Sequence, residues 1–183
     1  LWLKLFISPF RRKIIWQASS YLEKEDILRY YPNTNVRIIS DGINFESFQD
    51  SKIITSEKLI EKYTKRSIGE ISEVFFSMGR LHEIKRFDVL IDAFQMYLHN
   101  NPNAKLLIAG EDDGIKEDIL KQIRNLNLED SIFLIGILDF NQKKEVLSNS
   151  SVFVLTSDFE SFGIVIAESL ACGTPVIVSD KTP

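Results

Sequence analysis

A single cysteine among 183 residues leaves no partner for an intrachain disulfide, which fits a reducing, cytoplasmic compartment. Two histidines beside it are too few for a structural zinc site built from the usual Cys and His ligands. Lys and Arg number 22 against 26 Asp and Glu, a net charge of -4, so the chain lacks the basic field that unspecific nucleic-acid binding requires. Any phosphate it binds must be gripped locally. No apolar run approaches the about 20 residues of a membrane-spanning helix, so a soluble chain is expected. Neither G-x-G-x-x-G after a first strand nor G-x-x-x-x-G-K-[ST] occurs, which argues against dinucleotide and P-loop sites.

The termini lack closing features as well. The chain opens on Leu1, not Met, and ends on Pro183 just after a strand-like run, the pattern of a truncated excerpt. The opening apolar segment resembles a signal peptide only superficially, because Arg11, Arg12 and Lys13 follow it and no small-residue cleavage site appears. A broken internal helix is expected there. The basic cluster is a weak pointer to a membrane surface.

What is present is enough for a core: 44% of residues are hydrophobic. From Glu73 onward short apolar runs alternate with longer amphipathic ones, the signature of βαβ units and a parallel sheet. Strands are predicted at 73–78, 104–109, 131–135, 151–156 and 174–179. Helices are predicted at 82–99, 114–126 with Asp113 as N-cap, 141–149 and 162–172. Upstream, 14–20 and 36–40 read as strands and 21–30 as a short helix. Asp41-Gly42 reads as a turn, and 49–69 as a polar helical connector outside the core. The fold class is therefore α/β, with helices on both faces of a parallel sheet and ligands beyond the carboxyl ends of its strands.

Two segments can carry chemistry. In the run 156–178 a polar loop leads into an apolar helix, and the N–H groups of Gly163, Ile164 and Val165 would be free at its first turn to meet a diphosphate. Gly163 removes a side chain where the phosphate approaches. Glu168 sits among aliphatic residues on that helix and, once buried, needs donors such as ribose hydroxyls. Glu160, at the helix mouth, can accept from sugar hydroxyls or face developing positive charge. Alternatively, Glu160 is a solvated loop acid and Glu168 pairs with a Lys or Arg. At the end of the first main strand, Arg80 and Lys85 occupy a turn and first helical turn that ordinarily favour acids, which points to an anion between them. The other reading is surface pairing, Arg80 with Glu83 or Lys85 with Asp88.

Lesser candidates divide the same way. Glu111, Asp112 and Asp113 fit either a divalent metal or a decorated helix start, and the helix start is preferred. His82 can lie at a pocket mouth, His99 can complement a helix C-terminus, and Cys172 reads as a small core residue rather than a nucleophile.

Taken together, Gly79-Arg80-Leu81 with Lys85, Asp88–Phe94, Leu107–Glu111, Phe133–Gly136 and Glu160–Pro175 resemble the family 4 glycosyltransferases of the GT-B fold, in the right order over 74–180. The segment 36–48 is similar to that family's crossing between domains, with Ser40-Asp41 where Pro-Asn is common. The resemblance implies a remnant of the acceptor domain in 1–45 and a C-terminally incomplete, Rossmann-like nucleotide-sugar-binding domain in 46–183. It assigns the donor diphosphate to Arg80, Lys85, Gly163, Ile164 and Val165, the ribose to Glu168, the base pocket to Gly136 and Ile137, and the catalytic position to Glu160. Ser161 departs from the usual Gly in Glu160-Ser161-Phe162-Gly163 and adds a side chain beside the sugar.

The activity so implied is retaining transfer of a hexosyl or N-acetylhexosaminyl group from a UDP- or GDP-linked sugar to a hydroxyl of a glycan or lipid-linked acceptor. It needs no cofactor and no directly required metal. Polysaccharide, lipopolysaccharide or glycolipid assembly is the implied setting, with peripheral association at the inner membrane face. The residues alone leave open a non-catalytic nucleotide-sugar-binding module, a sugar-nucleotide epimerase of the same fold, or a purely structural α/β domain. The excerpt by itself is expected to bind donor weakly and to be inactive.

Overall fold

The computed structural model describes residue 10 and residues 13–160 and 162–180. Ser161, Arg11, Arg12 and most of the opening segment, each given a reading above, lie outside the described residues. Within them the chain runs β1 (Ile15–Ala18), α1 (Tyr21–Tyr30), β2 (Asn35–Ile38), α2 (Ser56–Thr64), β3 (Val74–Met78) and α3 (Phe87–Leu98). It continues through β4 (Lys105–Ala109), α4 (Lys116–Asn125), β5 (Ile132–Gly136), α5 (Phe140–Ser148), β6 (Val152–Leu155), α6 (Ile164–Ala171) and β7 (Val176–Val178).

All paired strands are parallel, β1 with β2 in one small sheet and the others in the order β5-β4-β3-β6-β7. The chain therefore builds outward from β3 through β4 to β5, then returns to place β6 on the other side of β3. Loops leaving β3 and β6 diverge at that reversal, which is where open parallel sheets bind ligands. Every residue of β4 is buried, as a central strand covered on both faces requires. One face carries Leu90, Ile91 and Phe94 of α3 with Ile119 and Ile123 of α4. The other carries Leu59 and Ile60 of α2 with Val146 and Leu147 of α5.

Several predicted boundaries move for identifiable reasons. The helix predicted at 82–99 divides into a 3-10 turn, Glu83–Lys85, and α3, because Arg86 adopts a left-handed conformation with φ 51° between them. The segment 49–69, read as a connector outside the core, contributes to that core: α2 drives Leu59 and Ile60, both 0% exposed, under the sheet. Asp41-Gly42 forms no regular turn and runs into the 3-10 turn Phe45–Phe48. At the start of α4 the Asp112 carboxylate, not that of Asp113, accepts from the N–H of Gly114 and Lys116, at 3.1 and 3.2 Å.

Candidate functional site

The loop after β3 is held down by its neighbour. Gly79 N–H donates to the Ala109 carbonyl at 3.0 Å and Leu81 N–H to Glu111 at 2.8 Å. A Cβ on Gly110 would lie 1.8 Å from the Gly79 carbonyl oxygen, so only glycine permits this approach. Lys85 then folds its aliphatic stem over Gly79, with Cε 3.2 Å from where a Cβ would stand. That packing aims the ammonium across the sheet reversal.

The loop after β6 meets it there. Thr156 Oγ1 donates to the carbonyls of Lys85 and Arg86, 3.0 Å from each, and Asp158 N–H donates to Ile84 at 2.8 Å. Arg86 spans both loops, bonding Asp88 at 3.0 Å and Asp158 at 3.1 Å. Hydrogen bonds to Asp88 and then Asp158 push the Arg86 guanidinium above its ordinary range, and in return hold the Asp88 carboxyl below the usual carboxylate range. So stitched, the loops bring Lys85 and Glu160 into direct contact, Nζ on Oε1, with side chains 17% and 13% exposed. Ser157, fully buried, donates its hydroxyl to the same oxygen at 2.7 Å. Glu160 is therefore not a free loop acid, and the partner of Lys85 is Glu160 rather than Asp88.

Helix α6 starts at Ile164, two residues later than predicted, because Gly163 is its N-cap in the left-handed region with φ 68°. Ile166 N–H turns back onto the Gly163 carbonyl at 2.8 Å. The donors that a helix leaves open before its first internal bond are then those of Ile164 and Val165. Along α6, burial runs against hydrophobicity: Ile164 and Leu170 are 45% and 56% exposed while Glu168 is 7% exposed. The buried carboxylate meets Lys143 of α5, Nζ 2.5 Å from Oε1, and its Oε2 is buried without a hydrogen-bond partner among the described residues. An orphaned, buried carboxylate oxygen is costly unless something bonds it.

Gly136 ends β5 with φ 77°, and with Ile137 it lines a cleft of about 480 Å³ shared with Leu81, Gly110 and Glu111. The Arg80 side chain is 67% exposed and pairs with Asp113 at 2.6 Å rather than with Glu83. With Asp112 engaged at the helix start and Asp113 on Arg80, the acidic loop behaves as helix decoration. His82 Nδ1 accepts from Ile84 N–H at 3.2 Å and lines a separate cleft of about 610 Å³ with Arg86, Asp88 and Asp158. His99 Nδ1 lies 3.1 Å from the Gln95 carbonyl, at the end of α3.

The sequence reading missed Lys143, Arg86, Thr156 and Ser157. Arg86 adjoins Lys85, and Thr156 and Ser157 open the run 156–178, whereas no local spacing ties Lys143 to Glu168.

Over residues 60–183 the chain matches the family described as Glycosyl transferases group 1. The chain belongs to that family. An uncharacterized glycosyltransferase of Methanocaldococcus jannaschii is 33% identical over 162 residues, 85% of this chain and 40% of the relative. The alpha-monoglucosyldiacylglycerol synthase of Streptococcus pneumoniae is 29% identical over 148 residues, 81% of this chain and 33% of the relative. The chain thus spans 40% or less of the length of these two relatives. In fold it is similar to Anabaena HepE, crystallized with UDP and glucose, at TM-score 0.77 and 19% identity over 98% of this chain and 48% of that one. The Rossmann-like parallel sheet is thus shared with glycosyltransferases of the GT-B type, and the matched region contains every site residue discussed above.

Proposed function

We propose that the full-length protein is a retaining glycosyltransferase of the family 4 type, which transfers a hexosyl or N-acetylhexosaminyl group from a UDP- or GDP-linked sugar to an acceptor hydroxyl. The observation that carries this reading is the meeting of Lys85 and Glu160 at the sheet reversal, in a member of the Glycosyl transferases group 1 family. Residues 46–183 are read as the donor-binding domain, and 1–45 as the end of the acceptor domain with its crossing.

In the proposed complex the diphosphate takes the Lys85 ammonium and the N–H groups of Ile164 and Val165, with the Gly163 backbone beside them. Arg80 leaves its exposed pairing with Asp113 to join them. Glu168 accepts from the ribose, and the base lies along Gly136 and Ile137. As the bond from the anomeric carbon to the terminal phosphate oxygen breaks, charge grows on the departing diphosphate, and the fixed cation and N–H donors stabilise it. The acceptor oxygen forms the new bond to that carbon and its proton passes to the leaving diphosphate. Displaced from Lys85, Glu160 faces the sugar and stabilises positive charge at the anomeric centre. No cofactor or metal is assigned a role.

The acceptor is a glycan or lipid-linked hydroxyl, in polysaccharide, lipopolysaccharide or glycolipid assembly. A cytoplasmic enzyme at the inner membrane face fits that chemistry. No described helix is long and apolar enough to cross a membrane. Incubation of the full-length protein with UDP- and GDP-sugars and an acceptor panel tests the proposal. Product with the donor's anomeric configuration is the expected result. Donor binding without transfer would instead identify a binding module, and epimerised donor without acceptor an epimerase.

A further inference from the structure

Lys143 has no role in the assignments above, yet among the described residues its ammonium bonds the Glu168 carboxylate. Its side chain is 16% exposed against 9% for that of Glu168, so the pair is withdrawn from water. The ammonium also lies 5.9 Å from the centre of the Phe48 ring and 5.8 Å from that of Phe140, within range of both aromatic faces. Phe48 and Phe140 pack edge to face at 5.2 Å, and Phe48 is 4% exposed. The 3-10 turn Phe45–Phe48 thereby fixes a cation on α5, and that cation fixes a carboxylate on α6.

We propose that Lys143 is the positioning residue for Glu168, holding its carboxylate oriented so that it accepts from the ribose hydroxyls of a nucleoside diphosphate. This rests on the donor-site reading above. The physical need is plain: a carboxylate buried this deeply is costly without a counter-charge and a donor, and Lys143 supplies both to one of its oxygens. Lys143 engages one oxygen only. The second, Oε2, has no partner among the described residues, and in the proposed complex it is the acceptor for an incoming hydroxyl. The surrounding charged and titratable groups do not replace Lys143. Lys144 of α5 bonds the Gln49 carbonyl, Cys172 closes α6 as a thiol, and Glu46 of the 3-10 turn is exposed.

The test is calorimetric binding of UDP, GDP and their 2′,3′-dideoxy counterparts to the full-length protein, wild type, Lys143→Met and Lys143→Arg. The expected result is that loss of the ribose hydroxyls weakens wild-type binding by about tenfold or more, the worth of hydrogen bonds to a charged group. In Lys143→Met that discrimination falls below about twofold, and Lys143→Arg restores it. A purely structural role would lower the melting temperature of Lys143→Met while leaving the discrimination unchanged, and that result overturns the proposal. Should Lys143→Met fail to fold, Lys143→Gln, which keeps a donor without the charge, is read the same way. Wild-type protein that binds neither UDP nor GDP overturns the donor-site reading itself, a result distinct from unchanged discrimination in the variant.

Discussion

Lys85 and Glu160, 75 residues apart in sequence, share an ion pair at the point where the sheet reverses direction. Under the proposed function, a diphosphate that takes the Lys85 ammonium would release Glu160 toward the sugar, which makes donor binding and arming of the carboxylate one event. Lys85→Ala should lower UDP or GDP affinity by about tenfold to a hundredfold. Glu160→Gln should lower kcat by at least about a hundredfold with a smaller change in donor affinity. Steady-state kinetics beside calorimetry separates the two.

Arg80 is a harder case, because its exposed pairing with Asp113 contributes little to stability. Arg80→Ala should leave the melting temperature within about 1 °C of wild type yet weaken nucleoside diphosphate binding by more than about tenfold. Unchanged affinity would remove Arg80 from the site.

Gly110 carries a different prediction. An alanine there would drive Cβ into the Gly79 carbonyl, so the loops after β3 and β4 must separate. Gly110→Ala should cost about 2 kcal/mol or more in urea unfolding and reduce donor affinity, because Lys85 rides on Gly79.

Much of this architecture was legible in the sequence, and the reasons are local. Each strand from β3 to β7 is a short apolar run with its own punctuation, and α1 matches its predicted span because Ser20 accepts from Glu23 N–H at the cap. Gly163 and Glu168 stood out because a glycine before an apolar helix and an acid within it both break the local pattern. The missed features depend on packing between distant elements. Lys143 lies 25 residues before Glu168, on a helix whose docking no spacing rule specifies. Arg80 faces Asp113 only because the loops after β3 and β4 are drawn together at Gly110. Leu59 and Ile60 were hidden by the charged residues on the outer face of α2.

Cys172 should be inert. Burial pushes its thiol up and outweighs the nearby Lys144 charge that opposes it, so little thiolate is present at neutral pH. Iodoacetamide labelling of folded protein should be at least about tenfold slower than of urea-unfolded protein at pH 7.5, and Cys172→Ser should leave transfer unchanged.

Acid should destabilise the protein in a definite window. The Asp88 carboxyl is held low by its bond from Arg86; burial raises Glu145, but bonds from Lys62 and Tyr63 outweigh this and leave it lowered. For a depressed carboxylate the stabilisation is complete above its unfolded pKa, about 4, and is lost as pH falls through the lower folded value. Urea midpoints should therefore show no loss from these groups between pH 7 and about pH 5 and fall below about pH 4. Asp88→Asn should be less stable than wild type at neutral pH, with a shallower decline in acid.

The central claim is that the loops after β3 and β6, with α6, hold a nucleoside diphosphate. Calorimetric titration of wild type and Glu168→Ala with UDP and GDP, in the full-length protein, tests it most directly. The account predicts saturable one-site binding of at least one nucleotide, weakened by more than about tenfold in Glu168→Ala. Equal affinity in both proteins, or no binding by wild type, would contradict it.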